Sequence, residues 1–132
     1  MKSTFGMFVL PVLLLSAGIG WAEKSHVTIV DASVKPVTVD PGETVLISCR
    51  VVCPDGPSSV EAVAATADHG NWVTTFPKLY DDGTHGDEVA NDSVYSLEIQ
   101  AAYGPGEEKI VFIAVDRDRN EIESEPLILK VE

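Results

Sequence analysis

The residues best placed to do chemistry lie in one stretch, Leu79-Tyr80-Asp81-Asp82-Gly83-Thr84-His85-Gly86-Asp87-Glu88-Val89-Ala90-Asn91-Asp92-Ser93-Val94-Tyr95. Four aspartates and one glutamate fall within it, punctuated by two glycines. Calcium takes six to eight oxygen ligands at about 2.3–2.6 Å in a flexible geometry. Asp81, Asp82, Asp87 and Asp92 are the candidate metal ligands, with backbone carbonyls near Gly83, Thr84 and Val89 completing the shell. Gly83 and Gly86 let the backbone take positive φ and wrap closely. Carboxylates drawn together repel one another, and a hard cation such as Ca2+ relieves that.

A second reading of the same residues needs no ion. Aspartate and glycine are ordinary turn residues, and aspartates cap nearby backbone N–H groups in Asx-turns. The spacing is also not that of an EF-hand: Asp81, Gly83, His85 and Asp87 occupy alternate positions, so two of the usual oxygen donors are missing. His85 raises the prospect of zinc or copper, but His26 and His69 fall in separate segments and form no spaced pair with it. Asn91-Asp92-Ser93 has the form of a glycosylation acceptor, which would go unused in a bacterial chain.

Two cysteines, Cys49 and Cys53, are a candidate disulfide in an oxidising compartment. They share parity with Val45, Ile47 and Val51 in a strand-like run. Residues four apart in a strand are separated by roughly 13 Å, whereas a disulfide needs Cα atoms within about 7 Å. A bridge therefore requires the chain to bulge or turn near Val52-Cys53-Pro54.

The elements that must position these residues begin after a leader. Lys2, the apolar run Phe8–Leu15 and the ending Gly20-Trp21-Ala22 read as a signal peptide over residues 1–22. The run is too short, and broken by Pro11, for a membrane span. No cysteine follows it to carry a lipid anchor. The expected mature chain, 23–132, is one domain, periplasmic or extracellular, with no membrane span. The net charge is −12, and loss of Lys2 with the leader would make it −13. That acidity argues against nucleic acid and anionic membrane surfaces as partners. Its simplest role is solubility.

The mature chain alternates in strand fashion throughout. His26–Val30 opens a first strand, continued past a kink by Val34–Val39, with Pro36 marking an edge. Thr44–Val52 is the clearest strand. Ser59–Thr66, Trp72–Tyr80, Val94–Ala101, Lys109–Val115 and Leu127–Val131 follow, and Pro77 interrupts the second of these five. Lys109–Val115 is apolar on both faces, as a central strand should be. Turn signals recur about every ten residues, and no helical period occurs. The expected fold is all-β: a seven-stranded antiparallel sandwich of the immunoglobulin or fibronectin type III kind. A chain of this length buries roughly two-thirds of its unfolded surface, so a metal would be a local staple or a functional ligand.

The acidic stretch resembles a loop recurring in bacterial exported immunoglobulin-like domains, with a pattern of Asp-Asp-Gly, Gly-Asp, Ala, Asp-Gly and Tyr. Ala114-Val115-Asp116-Arg117-Asp118-Arg119-Asn120 with Ser124-Glu125-Pro126 is similar to their last hairpin. Val45-x-Ile47 leading to Val51 and Pro54-Asp55-Gly56 is similar to an earlier strand and turn. The resemblance spans most of 27–131 and implies a non-catalytic accessory or binding domain. The family pattern favours glycine where Ser93 stands, so a positive φ there would strain the serine.

No Gly-x-Ser-x-Gly, phosphate-cradling loop or His-Glu-x-x-His occurs, so an enzyme is not expected. Three roles remain. One is an interaction module, calcium-stapled through the acidic loop, meeting a protein partner or cell-surface component by its loops or by strand addition. Another is a carbohydrate-binding module using Trp72, Phe76, Tyr80 and Tyr103, although such residues are expected in the core. The third is a small periplasmic metal-handling protein, which would need His85 to converge with His26 or His69.

Overall fold

The computed structural model describes residues 26–132. The expected signal peptide, 1–22, lies outside the described residues. The described chain forms two packed β-sheets with no α-helix, as the alternation predicts.

The smaller sheet joins β1 (Thr28–Lys35), β3 (Thr44–Val52) and β6 (Val94–Gln100) in the order β1-β3-β6, antiparallel throughout. The larger sheet runs β2 (Thr38–Val39), β9 (Leu127–Val131), β7 (Gly106–Asp116), β4 (Val60–Asp68), β5 (Val73–Phe76), and β8 (Glu121–Glu123) pairs with β7. Among the described residues the chain makes nine strand segments rather than the seven expected. One extra segment arises where the first strand is broken in two, and the other is β8, in a stretch where no strand was expected. At Pro36, which lacks an N–H to donate to a ladder, the first strand leaves one sheet for the other. It continues as β2 and lies parallel to β9, pairing Thr38 with Lys130 and Val39 with Val131. The sandwich is therefore antiparallel everywhere except at this edge. At the far end β8 and β9 take successive stretches of the same flank of β7.

The core follows from the period-two pattern. Val45, Ile47, Cys49 and Val51 of β3 face Ile110, Phe112 and Ala114 of β7, all essentially solvent-free. Ala65 of β4 pairs with Phe112, a small residue beside the largest side chain of the core. Each large apolar side chain fully buried contributes roughly 1.5–3 kcal/mol. Phe112→Ala, which leaves a cavity as well, should cost about 3–5 kcal/mol.

The expected strand Trp72–Tyr80 is split by its proline. β5 ends at Phe76, directly before Pro77. Leu79 still donates to the Val63 carbonyl of the larger sheet at 2.8 Å. Tyr80 has already crossed to the smaller sheet, exchanging two 2.9 Å hydrogen bonds with Ser96. The acidic loop thus begins where the chain passes from one sheet to the other, which anchors it at both.

Candidate functional site

The loop from Asp81 to Ser93 is built on hydrogen bonds between its carboxylates and its own backbone. Asp81 reaches across its width, Oδ1 accepting from Asp92 N at 3.2 Å and Oδ2 from Ser93 N at 2.9 Å. Asp87, only 5 % exposed, accepts from Gly83 N at 2.8 Å. Asp92 accepts from Val94 N at 3.0 Å. The loop also rests on the smaller sheet. The His85 carbonyl accepts from Glu98 N, and the His85 ring stacks on Tyr80 with centroids 3.7 Å apart. Gly86 approaches that sheet so closely that a Cβ would meet Leu46 Cδ1 at 2.6 Å, and its φ is +95°. Only glycine meets both demands without strain.

These constraints bring three of the four candidate ligands together. Asp81, Asp87 and Asp92 each offer an oxygen within 4.8 Å of the others. Oxygens bound to one calcium at 2.3–2.6 Å lie no more than about 5 Å apart, so the spacing fits a shared cation. Asp82 is not brought in. Its fully exposed carboxylate accepts from the backbone N–H at 3.0 Å and the hydroxyl of Thr84. Those bonds, the hydroxyl foremost, hold its pKa below the ordinary carboxylate value.

Asp81 moves the other way. Burial raises its pKa, the Ser93 and Asp92 N–H groups oppose the rise, and the Asp92 carboxylate adds to it by direct contact and by repulsion. No lysine or arginine forms an ion pair with the three aspartates among the described residues. Tyr95 lines the same small pocket of about 320 Å³ as Asp81. Its phenol is raised by burial first and by Asp81 next.

The candidate Cys49–Cys53 bridge is not formed: both cysteines are free. β3 stays extended through Val52, so the bend that a bridge requires does not occur between them. Burial pushes the Cys49 thiol up to about 12. Burial also raises Cys53, against a hydrogen bond with Ser59 that lowers it.

The histidines occupy three separate surroundings. His26 meets Asp55 at 3.2 Å, His85 stacks on Tyr80, and His69 packs at a second site that the sequence reading missed. His69 stacks on Trp72 with centroids 4.5 Å apart, bonds Thr74 through Nε2 at 3.1 Å, and brings Nδ1 to 3.8 Å from Glu108. The His69 and Glu108 side chains are 10 % and 4 % exposed. They lie at an open cleft of about 920 Å³ between the edge strands β5 and β6. Trp72 and Tyr103, expected in the core, are 55 % and 79 % exposed along this cleft. Phe76 is half-buried in the same cleft, while Tyr80 belongs to the acidic pocket. The available signal was a tryptophan directly after the turn Asp68-His69-Gly70-Asn71, where a strand has barely begun and its inward face is not yet covered.

No protein-family model matches the chain, and no curated protein matches it. No helix among the described residues is long and apolar enough to cross a membrane.

Proposed function

We propose that the protein is a non-catalytic exported interaction module of the immunoglobulin or fibronectin type III kind, with a calcium ion stapling its acidic loop. The strand orders β1-β3-β6 and β2-β9-β7-β4-β5 support the fold assignment. The expected leader over residues 1–22 supports export. The convergence of Asp81, Asp87 and Asp92, with one oxygen of each within 4.8 Å of the others, carries the calcium reading. A divalent cation would replace mutual repulsion by attraction and fix the crossing between the sheets. The non-catalytic reading is supported by the use of these carboxylates, which are tied to backbone N–H groups of their own loop.

Isothermal titration with Ca2+ and with Mg2+ tests the proposal. Calcium should bind with one-site stoichiometry and magnesium more weakly, because magnesium demands near-ideal octahedral geometry. Asp87→Asn should abolish the binding heat, and Asp82→Asn should leave it unchanged. Absence of calcium binding at millimolar concentrations would leave the loop as a set of Asx-turns.

The carbohydrate-binding reading draws on one observation, the exposure of Trp72 and Tyr103 along one cleft. Quenching of Trp72 fluorescence by a soluble oligosaccharide would favour it.

A further inference from the structure

We propose that the cleft between β5 and β6 is a docking site for an extended basic peptide, which pairs with the free edge of β5 and lays a lysine or arginine side chain between Trp72 and Tyr103. The proposal rests on the interaction-module reading and names the chemistry of its partner.

Three independent features of the cleft converge on this occupant. The first is the state of its aromatic side chains. Trp72 is half exposed yet held in one plane by its stack on His69, which Thr74 fixes in turn. Tyr103 packs over Gly42 so closely that a Cβ there would meet its ring at 2.7 Å. Rigid, exposed aromatic rings supply contact area with little entropy left to lose.

The second is charge. Glu107 and Glu108 line the cleft and no lysine or arginine does, while the Glu98 side chain turns away to pack against Gly86 of the acidic loop. Glu108 Oε2 accepts from Ala102 N, while Oε1 faces His69 Nδ1 across 3.8 Å, too far for a hydrogen bond. That Nδ1 is buried without a hydrogen-bond partner. An ammonium or guanidinium group over an aromatic face is attracted by the ring quadrupole. Here carboxylates and the net charge of −12 add to that attraction.

The third is the edge itself. Among the described strands β5 pairs only with β4. Its four residues, Val73-Thr74-Thr75-Phe76, include no charge and no proline. Edge strands are ordinarily protected by short length, charge, proline, a bulge or a covering segment, and β5 has the first of these, with Pro77 and Lys78 directly after it. Its open side is still a template for a short added strand, whose alternate side chains enter the flanking cleft. On β6 the equivalent positions are taken, because Ser96 and Glu98 already donate to Tyr80 and His85 of the acidic loop. Strand addition is thereby directed to β5.

The test is an amide NMR titration of the protein produced from the full chain with three probes. They are acetyl-Lys-Val-Lys-Val-Lys-amide, its counterpart with glutamine for lysine, and a soluble β-linked glucose oligosaccharide. The lysine peptide should shift Val73–Phe76 and Tyr103, and raised salt should weaken it. Trp72→Ala should weaken binding about tenfold or more, as for a central aromatic anchor. Glu107→Gln should weaken it less, and Glu121→Gln, on exposed β8 away from the cleft, should leave it unchanged. Equal binding of the glutamine peptide would overturn the proposal. So would oligosaccharide shifts at these amides with the lysine peptide silent, and that result would also favour the carbohydrate reading. Lysine-peptide shifts confined to residues 81–92 would overturn the cleft assignment alone and leave an interaction module standing.

Discussion

The molecule contains two acidic turns that solve the problem of a buried carboxylate differently. At the end of β7, Asp116 closes the turn that follows. It is 6 % exposed and accepts from Asp118 N, Asn120 N and Asn120 Nδ2 at 2.9, 2.9 and 3.1 Å. These donors gather on one carboxylate of the turn. In the loop between β5 and β6, three carboxylates converge, each offering an oxygen within 4.8 Å of the others. Their backbone donors are divided among them, and no basic side chain joins. The contrast separates an aspartate that folds a turn from aspartates grouped closely enough to share a cation. Composition alone does not distinguish the two.

The largest effect expected from breaking this contrast is at Asp116. Asp116→Ala leaves buried donors unpaired, and hydrogen bonds to a charged group are worth about 1.5–3 kcal/mol. Chemical denaturation should show a loss of about 3 kcal/mol that is the same with and without calcium. Gly86→Ala comes next. It drives a Cβ against Leu46 and Glu98 at a φ of +95°. A left-handed conformation alone costs an L-residue about 1–2 kcal/mol. Thermal melts should show a loss of about 2 kcal/mol, together with weaker calcium binding, because the loop must lift from the sheet.

Ser93→Gly sharpens the comparison in the opposite direction. Ser93 sits at φ +69°, the strain implied by a family pattern that favours glycine there. Glycine relieves it, and after the greater entropy of the unfolded glycine chain the net gain should be at most about 1 kcal/mol. Calcium binding should survive.

The smallest effect is in pH. The folded pKa of Asp81 is raised, so the native state holds its proton more tightly than the unfolded chain. Its contribution to stability is present at low pH and is lost as pH rises through the folded value. Without calcium, the wild type should therefore gain stability relative to Asp81→Asn as pH falls toward about 4. With calcium the sign reverses, because protons compete with the ion. Paired melts across this range measure both signs.

Much of the fold was legible because period-two alternation is local. The inward set Val45, Ile47, Cys49 and Val51 could be read directly. The sheet to which a strand belongs is not local. Pro36 announced a break, but the parallel pairing of β2 with β9 depends on residues nearly a hundred positions away. In the loop, the acidic run and the demand at Ser93 were legible. The exclusion of Asp82 was not, since adjacent carboxylates look alike until Thr84 claims one of them. The bridge between Cys49 and Cys53 turned on whether β3 bends before its end, and it does not. Trp72 and Tyr103 were misplaced for a related reason. Their parity is that of core residues, but they lie where the two sheet edges stand apart and no strand covers them.

The most direct test of the calcium staple is the melting temperature of the protein in chelator and in calcium, for wild type, Asp82→Asn and Asp87→Asn. At a hundredfold over its dissociation constant, calcium should add about 2.7 kcal/mol, or roughly 10 °C for a domain of this size. Wild type and Asp82→Asn should show that shift, and Asp87→Asn should lose it. An unchanged melting temperature in the wild type, or a shift that survives Asp87→Asn, would contradict the account.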